Sequence, residues 1–99
     1  EGVIPWQDAP KYFGRIATVE GVIQQVEDRG TVAFLRFGPG ESDLRLVVFP
    51  RSYALFRQPF PQSYLGKKVR ARGRIVLYAG YYEIVLEDPS ALEVLDGSP

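Results

Sequence analysis

The most distinctive side chains of this 99-residue sequence are cations that recur at every second position. They are Lys68, Arg70, Arg72 and Arg74. In an extended strand, alternate side chains lie on the same face, and two residues advance the chain by about 6.6 Å. That spacing is comparable with the separation of successive phosphates in an extended single strand of nucleic acid. The row therefore predicts a surface that binds a polyanionic backbone, and the alternative is a strand face kept soluble by its charges.

This row belongs to a longer segment, 44–82, in which eight residues are basic and no Asp or Glu occurs. The whole chain has 12 Lys and Arg against 12 Asp and Glu, so its formal net charge is zero. Acidic residues concentrate in the C-terminal part, at Glu83, Glu87, Asp88, Glu93 and Asp96. Because a basic surface is a local property, the neutral total does not exclude a polyanionic partner.

A second group combines aromatic rings with guanidinium groups on the face predicted to lie opposite the core. Its members are Phe34 with Arg36 on one strand and Arg45 with Phe49 on the next. Exposed rings beside arginines form a platform for stacked bases, worth about 1–3 kcal/mol per base. For Phe34, and more so for Phe49, burial under a loop or helix is the alternative. Tyr78 and Tyr81 either extend the platform or form a cross-strand pair.

Catalysis has little support in the sequence. The chain has no His and no Cys, which removes the usual general base, nucleophile and zinc ligands. The Asp and Glu residues show no spacing typical of a two-metal site, and no Gly-rich phosphate loop leads from a strand into a helix. We therefore expect a protein that is not an enzyme and that has no cofactor and no metal.

No apolar run approaches the roughly 20 residues that a membrane span requires, so we expect no membrane partner. The compartment stays open: a cytoplasmic location is favoured, and export of a longer parent protein is the alternative. Oligomeric state is equally open at this level.

Period-two alternation of apolar and polar residues predicts that the candidate side chains lie on β-strands. The predicted strands cover 15–26, 31–37, 44–49, 67–78 and 81–87, with a short closing strand over 91–95. Only Ala79-Gly80 separates the fourth strand from the fifth, which predicts a tight hairpin because glycine readily takes a positive φ.

Helical structure is expected in two places. Residues 51–58, between the third and fourth strands, favour a short helix that ends at the prolines that follow. Near the N-terminus, the spacing of Trp6, Ala9 and Phe13 predicts one or two helical turns, with Trp6 closing one end of the fold rather than meeting a ligand.

Five strands with a helix between the third and fourth predict an all-β OB-fold, a partly open Greek-key barrel. The glycines within two of the strands, Gly21 and Gly73, permit the bend by which one strand serves both sides of a small closed sheet. An SH3-like barrel or an open antiparallel sheet is the alternative. We expect a single domain over 1–99, with an N-terminal strap at 1–13, the barrel at 14–95 and a tail at 96–99.

Several short motifs resemble those of bacterial OB-fold nucleic-acid-binding domains, which often accompany nuclease or other DNA-processing modules in longer chains. The motifs are Trp6-Gln7-Asp8-Ala9, Tyr12-Phe13-Gly14-Arg15, Thr18-Val19-Glu20-Gly21-Val22-Ile23, Phe34-Leu35-Arg36-Phe37-Gly38 and Asp88-Pro89-Ser90. The resemblance implies that single-stranded nucleic acid binds the barrel face centred on the second and third strands. The short loop at Ala79-Gly80 departs from the family and can clamp a ligand less than its longer loops.

In the strand order of an OB-fold, the strand of Arg45 and the strand of the cationic row are not neighbours across the central face. We therefore expect two basic edges on either side of an aromatic centre. Taken together, the sequence predicts a module that binds single-stranded DNA or RNA with little sequence preference. The alternative is a protein-interaction or spacer domain that positions a neighbouring catalytic module in a longer parent chain.

Overall fold

Short strands dominate the computed structural model, which describes residues 2–40 and 43–95. The strands in that part of the chain are β1 Val3–Pro5, β2 Ile16–Val22, β3 Gln25–Asp28, β4 Ala33–Arg36, β5 Arg45–Val48, β6 Lys68–Arg74, β7 Val76–Tyr78, β8 Tyr81–Val85 and β9 Leu92–Val94. Between them lie 3-10 helices over Trp6–Tyr12, Pro50–Leu55, Gln62–Tyr64 and Pro89–Ala91.

The strands form two sheets. In the first sheet the order is β1-β2-β6-β9, and in the second sheet it is β3-β4-β5-β8-β7. Strands β3, β4 and β5 form an antiparallel meander, whereas β5 and β8 run parallel. This parallel pair brings two strands that are distant in sequence side by side on one face.

Two chain segments, 16–28 and 68–78, contribute strands to both sheets. The first passes from β2 to β3 at Ile23 and the second passes from β6 to β7 at Ile75, and both isoleucines are fully buried. The backbone N–H of Ile23 donates to the carbonyl of Lys67 at 2.9 Å, and that of Ile75 donates to the carbonyl of Arg15 at 3.0 Å. The two segments therefore stay hydrogen-bonded to each other where they leave the first sheet.

Gly21 and Gly73 each lie two residues before a transition, and side chains of other elements pack directly against their backbone there. A Cβ atom on Gly73 would lie 2.6 Å from Cγ2 of Ile84, and one on Gly21 would lie 2.4 Å from Cδ1 of Trp6. Neither distance is tolerated by real side chains, so a residue without Cβ lets the neighbouring elements pack. Trp6 stacks on Phe37 with ring centroids 6.0 Å apart and packs against the core, as expected for a residue that closes one end of the fold.

The core lies between the inward faces of the two sheets. Its largest fully buried side chains include Ile23, Leu35, Phe37, Leu46, Val69, Ile75 and Ile84. Those within strands come from both sheets and point inward, as period-two patterning requires, whereas Ile23, Phe37 and Ile75 lie directly beyond strand ends. The opposite face of each sheet, called here its outer face, carries the candidate functional side chains.

A mainly β structure is confirmed, whereas the predicted count of five strands and the closure into one barrel are not. The long strands predicted over 15–26 and 67–78 are each divided between the two sheets, which raises the count. In place of a single helix over 51–58, the chain has the 3-10 helices Pro50–Leu55 and Gln62–Tyr64. The predicted tail at 96–99 lies outside the described residues.

Candidate nucleic-acid interface

The outer face of the second sheet brings together most of the predicted aromatic and arginine side chains. Phe34 and Arg36 come from β4, Arg45 comes from β5, and Tyr81 comes from β8. Arg45 is the Cα partner of Arg36 on one side and of Glu83 on the other. The predicted constellation is therefore formed, and Glu83 belongs to it as well.

Arg45 lies between two aromatic rings. Its Cζ atom is 3.8 Å from the ring centroid of Phe34 and 3.7 Å from that of Tyr81. These are close cation–π contacts, and they leave Arg45 only 5% exposed and Phe34 only 7% exposed. Phe34 is thus not an open stacking platform, because the arginine occupies the ring face that a base would need.

Glu83 neutralises this arginine. Nε of Arg45 donates to Oε2 of Glu83 at 2.7 Å, and Nη2 lies 2.5 Å from the same oxygen. Glu83 itself is 5% exposed, so this is a buried ion pair. Arg45 is therefore not the second basic edge expected from the sequence. Alternation along 81–87 places Glu83 on the same face as Tyr81, but its partner becomes evident only with the parallel register of β5 and β8.

Arg36 forms an ion pair with a different carboxylate, that of Glu27. Its Nη2 and Nε atoms each lie 2.9 Å from Oε1 of Glu27, whose other oxygen accepts from Arg29. Burial raises the pKa of Glu27, but the hydrogen bonds from Arg36 and Arg29 outweigh it and leave that pKa below its ordinary value. Glu27 thus stays ionised and cancels much of the charge of Arg36.

Next to this cluster the second sheet has a groove of about 590 Å³. Apolar side chains form most of its walls, namely Val47, Phe49, Val76, Leu77, Tyr78 and Val85. Phe34, Arg45 and Glu83 also line it. Tyr78 is 67% exposed, which makes it the open aromatic surface of this region, whereas Phe49 and Tyr81 are half-buried. We call this feature the apolar groove.

Tyr78 and Tyr81 are directly paired at the end of the β7–β8 hairpin. Ala79 (φ 52°) and Gly80 (φ 86°) between them both have a positive φ, as the predicted two-residue turn requires. The hairpin places Tyr78 at the rim of the apolar groove while Tyr81 covers Arg45.

The cationic row lies on β6 in the first sheet, and all four of its side chains are exposed on the outer face. Glu20, on the neighbouring β2, pairs with two of them: its carboxylate lies 3.3 Å from Nζ of Lys68 and 3.0 Å from Nε of Arg70. The hydrogen bond from Arg70, followed by that from Lys68, lowers the pKa of Glu20. Half of the row is therefore already paired with one carboxylate.

Each of the other two cations of the row donates a hydrogen bond to a neutral oxygen. Nη1 of Arg72 donates to Oγ1 of Thr18 at 3.3 Å, and Nη1 of Arg74 donates to the carbonyl of Gly14 at 2.7 Å. A neutral acceptor orients a guanidinium group without cancelling its charge. Arg74 is therefore held in place as a cation at the end of the row.

One continuous segment connects the cationic row with the apolar groove. β6 ends at Arg74, Ile75 turns inward, and β7 continues with Val76 and Tyr78, which line the groove. Four residues of strand separate Arg74 from Tyr78, which corresponds to about 13 Å. The row and the groove are thus two parts of one path along 68–78, although they belong to different sheets.

Among residues 2–40 and 43–95, no group of His, Cys, Asp or Glu is arranged to hold a metal ion. In the same part of the chain, no helix has the length and apolar character to cross a membrane.

No family model matches this sequence, and no curated protein matches it. Solved structures do resemble the fold. Aspartyl-tRNA synthetase from Entamoeba histolytica aligns over 99% of this chain with a TM-score of 0.63 and 16% identity. Asparaginyl-tRNA synthetase from Pyrococcus horikoshii, complexed with asparaginyl-adenylate, aligns over 93% with a TM-score of 0.61 and 17% identity. This chain spans only 22% of each synthetase.

A third structure, the OBody AM1L10 bound to hen egg-white lysozyme, aligns over 99% of this chain and 96% of its own length. Its TM-score is 0.63 at 16% identity. At these identities the likeness concerns architecture. The chain has an OB fold. The predicted fold family is thereby confirmed, while a bacterial origin is not.

Proposed function

We propose that this chain is a non-catalytic OB-fold module that binds single-stranded DNA or RNA with little sequence preference. The observation that carries the proposal is the segment 68–78, which presents four exposed cations and then the exposed ring of Tyr78 at the apolar groove. Phosphates follow the cationic row, and bases enter the groove and stack on Tyr78. Stacking of this kind tolerates any base, since every base has a π-face.

The charges of the first sheet predict a modest, salt-sensitive affinity. Each phosphate contact on a single strand contributes roughly −0.7 to the slope of log affinity against log salt. One contact, from Arg74, sets the lower limit, and the whole row makes four contacts if the ligand displaces Glu20 from Lys68 and Arg70. We therefore expect a slope between about −0.7 and −2.8.

The cluster of Phe34, Arg45 and Tyr81 has a positioning role in this proposal. Because Arg45 is enclosed by two rings and a carboxylate, it holds β4, β5 and β8 in register and gives the groove a rigid wall. Arg36 is fixed in the same way by Glu27. Phosphate binding is thus assigned to β6, and base stacking to the β7–β8 hairpin.

Two fold neighbours support RNA as a ligand beside DNA. They are tRNA synthetases, and their names identify an RNA as the molecule on which they act. Since the chain spans about a fifth of those enzymes, we propose that it works as a module of a longer protein.

The test is a fluorescence anisotropy titration with labelled oligothymidine and oligouridine at several salt concentrations. The Tyr78→Ala variant should bind either ligand more weakly by ~1–3 kcal/mol, the worth of one stacked base. Phe13→Ala is the matched control, because Phe13 is an exposed ring that does not line the groove. No binding at low salt would refute the proposal, and an equal loss in both variants would refute the role of Tyr78.

A protein-binding role is the second candidate. A protein with this fold is bound to lysozyme in the OBody structure, and the apolar groove exposes Leu77 and Val85 beside an ion pair that cancels its own charge. Light scattering across salt concentrations separates the two functions. Self-association that salt dissolves, without affinity for either oligonucleotide, would favour the protein-binding role.

A further inference from the structure

Glu83 uses only one of its two carboxylate oxygens. Both close contacts with Arg45, from Nε and from Nη2, are made to Oε2. Within the described residues no hydrogen bond reaches Oε1, and no buried side-chain nitrogen or oxygen lacks a partner. Oε1 is therefore not engaged by the described residues, and Glu83 lines the apolar groove.

Arg45 holds this carboxylate by one edge of its guanidinium group, because Nε and Nη2 both contact Oε2. Nη1 lies on the far side of the group from that edge, so it cannot contact the same base edge as Oε1. The groove wall thus offers one acceptor, Oε1, on a carboxylate that Arg45 positions.

Stability alone does not account for this pair. Burying two charges is costly, and apolar residues of similar volume in their place are often neutral or stabilising. Here the pair is only 5% exposed and is surrounded by apolar side chains such as Val47 and Val76. A buried carboxylate with an unused acceptor oxygen in the wall of a groove indicates that a ligand supplies the missing donor.

We propose that Glu83 hydrogen-bonds the edge of a base that enters the apolar groove, with Oε1 accepting an N–H while Arg45 holds the carboxylate in position. The inference rests on the nucleic-acid-binding function proposed above and names a recognition element within it. Every nucleobase carries an N–H donor next to an acceptor. Glu83 therefore accepts any base, which agrees with low sequence preference, but it rejects a ring that has no N–H donor.

The direct test changes the ligand and leaves the protein intact. Oligothymidine is compared with the same oligomer in which difluorotoluene, an apolar ring of the same shape, replaces each thymine. Because hydrogen bonds to charged groups are lost, we expect the apolar oligomer to bind roughly tenfold more weakly. Equal or tighter binding of the apolar oligomer would overturn the inference and leave the proposed function standing. Absence of any binding by oligothymidine would overturn both.

Two double variants test whether the preference for oligothymidine over the apolar oligomer depends on Glu83 and Arg45. Arg45→Met with Glu83→Leu replaces the pair by apolar side chains of similar size, and it should bind the two oligomers equally. Arg36→Met with Glu27→Leu is the control, because that ion pair lies on the same sheet but does not line the groove. The control should keep the tenfold preference. A preference that persists in the first variant would overturn the assignment to Glu83 and Arg45, and if that variant does not fold, the ligand comparison in the wild-type protein decides.

Discussion

The two sheets differ in how far they bury their outward arginines. On the second sheet, Arg45 is enclosed by two rings and a buried carboxylate, and Arg36, paired with Glu27, is half-buried. On the first sheet, Arg70 and Arg74 are exposed: Arg70 is paired with Glu20 at the surface, and Arg74 is bonded to a backbone carbonyl. The same residue type at equivalent strand positions thus serves structure in one sheet and is available to a ligand in the other. Alternation alone cannot distinguish the two roles.

The largest expected effect tests whether Arg45 stabilises the second sheet through its buried ion pair. Arg45→Ala leaves Glu83 as an uncompensated buried carboxylate, and removing one partner of such a pair costs about 3–5 kcal/mol of unfolding free energy. Arg74→Ala, on the exposed row, should change stability by less than about 0.5 kcal/mol. Urea unfolding of both variants measures the difference. Similar losses in the two would mean that Arg45 is not held in a buried pair.

Whether the sequence predicts a structural feature depends on how far apart in sequence its residues are. The hairpin at Ala79-Gly80, the alternation along 68–74 and the bend permitted by Gly73 all depend on residues a few positions apart, and they could be predicted. The enclosure of Arg45 depends on Glu83, which lies 38 residues away and is aligned by a parallel strand pair. Period-two alternation does not reveal such a partner. It does not predict the burial of Phe34 either, because Arg45 covers that ring only when it is held by Glu83.

A smaller effect tests the transition between the sheets. Gly73→Ala places a Cβ atom 2.6 Å from Cγ2 of Ile84 on the opposite sheet, so the packing must shift. Overpacking of this kind costs about 1–3 kcal/mol. Gly2→Ala is the matched control, since nothing lies within 4 Å of its added Cβ. Thermal or urea unfolding measures the stability of both variants. An unchanged stability of Gly73→Ala would show that the two sheets are not closely packed there.

The third prediction tests whether the exposed cations of the first sheet bind phosphates. Glu20→Gln releases Lys68 and Arg70 from their shared carboxylate, so both become available to phosphates. We expect oligothymidine to bind roughly two- to fivefold more tightly at low salt, with a steeper salt slope. Glu27→Gln, which frees Arg36 on the other sheet, should leave the slope unchanged. An equal gain in both variants would contradict the separation of roles.

The smallest effect concerns pH. Arg70 and Lys68 lower the pKa of Glu20, and Arg36 and Arg29 lower that of Glu27 despite its burial. A pKa that is lower in the folded state stabilises the fold above the unfolded value near 4.5, and this contribution is lost as the pH falls through the folded pKa. Urea unfolding between about pH 3 and 6 should show stability falling with acid, less steeply in Glu20→Gln and Glu27→Gln. Unchanged steepness in both variants would contradict these ion pairs.

The central claim is that phosphates follow the cationic row while bases stack in the apolar groove. It is tested most directly by the salt dependence of oligothymidine binding in the wild type, Arg74→Ala and Tyr78→Ala. The account predicts that Arg74→Ala makes the log–log slope less steep by about 0.7, whereas Tyr78→Ala lowers affinity at every salt concentration without changing the slope. Salt-independent binding, or a slope that Arg74→Ala leaves unchanged, would contradict it.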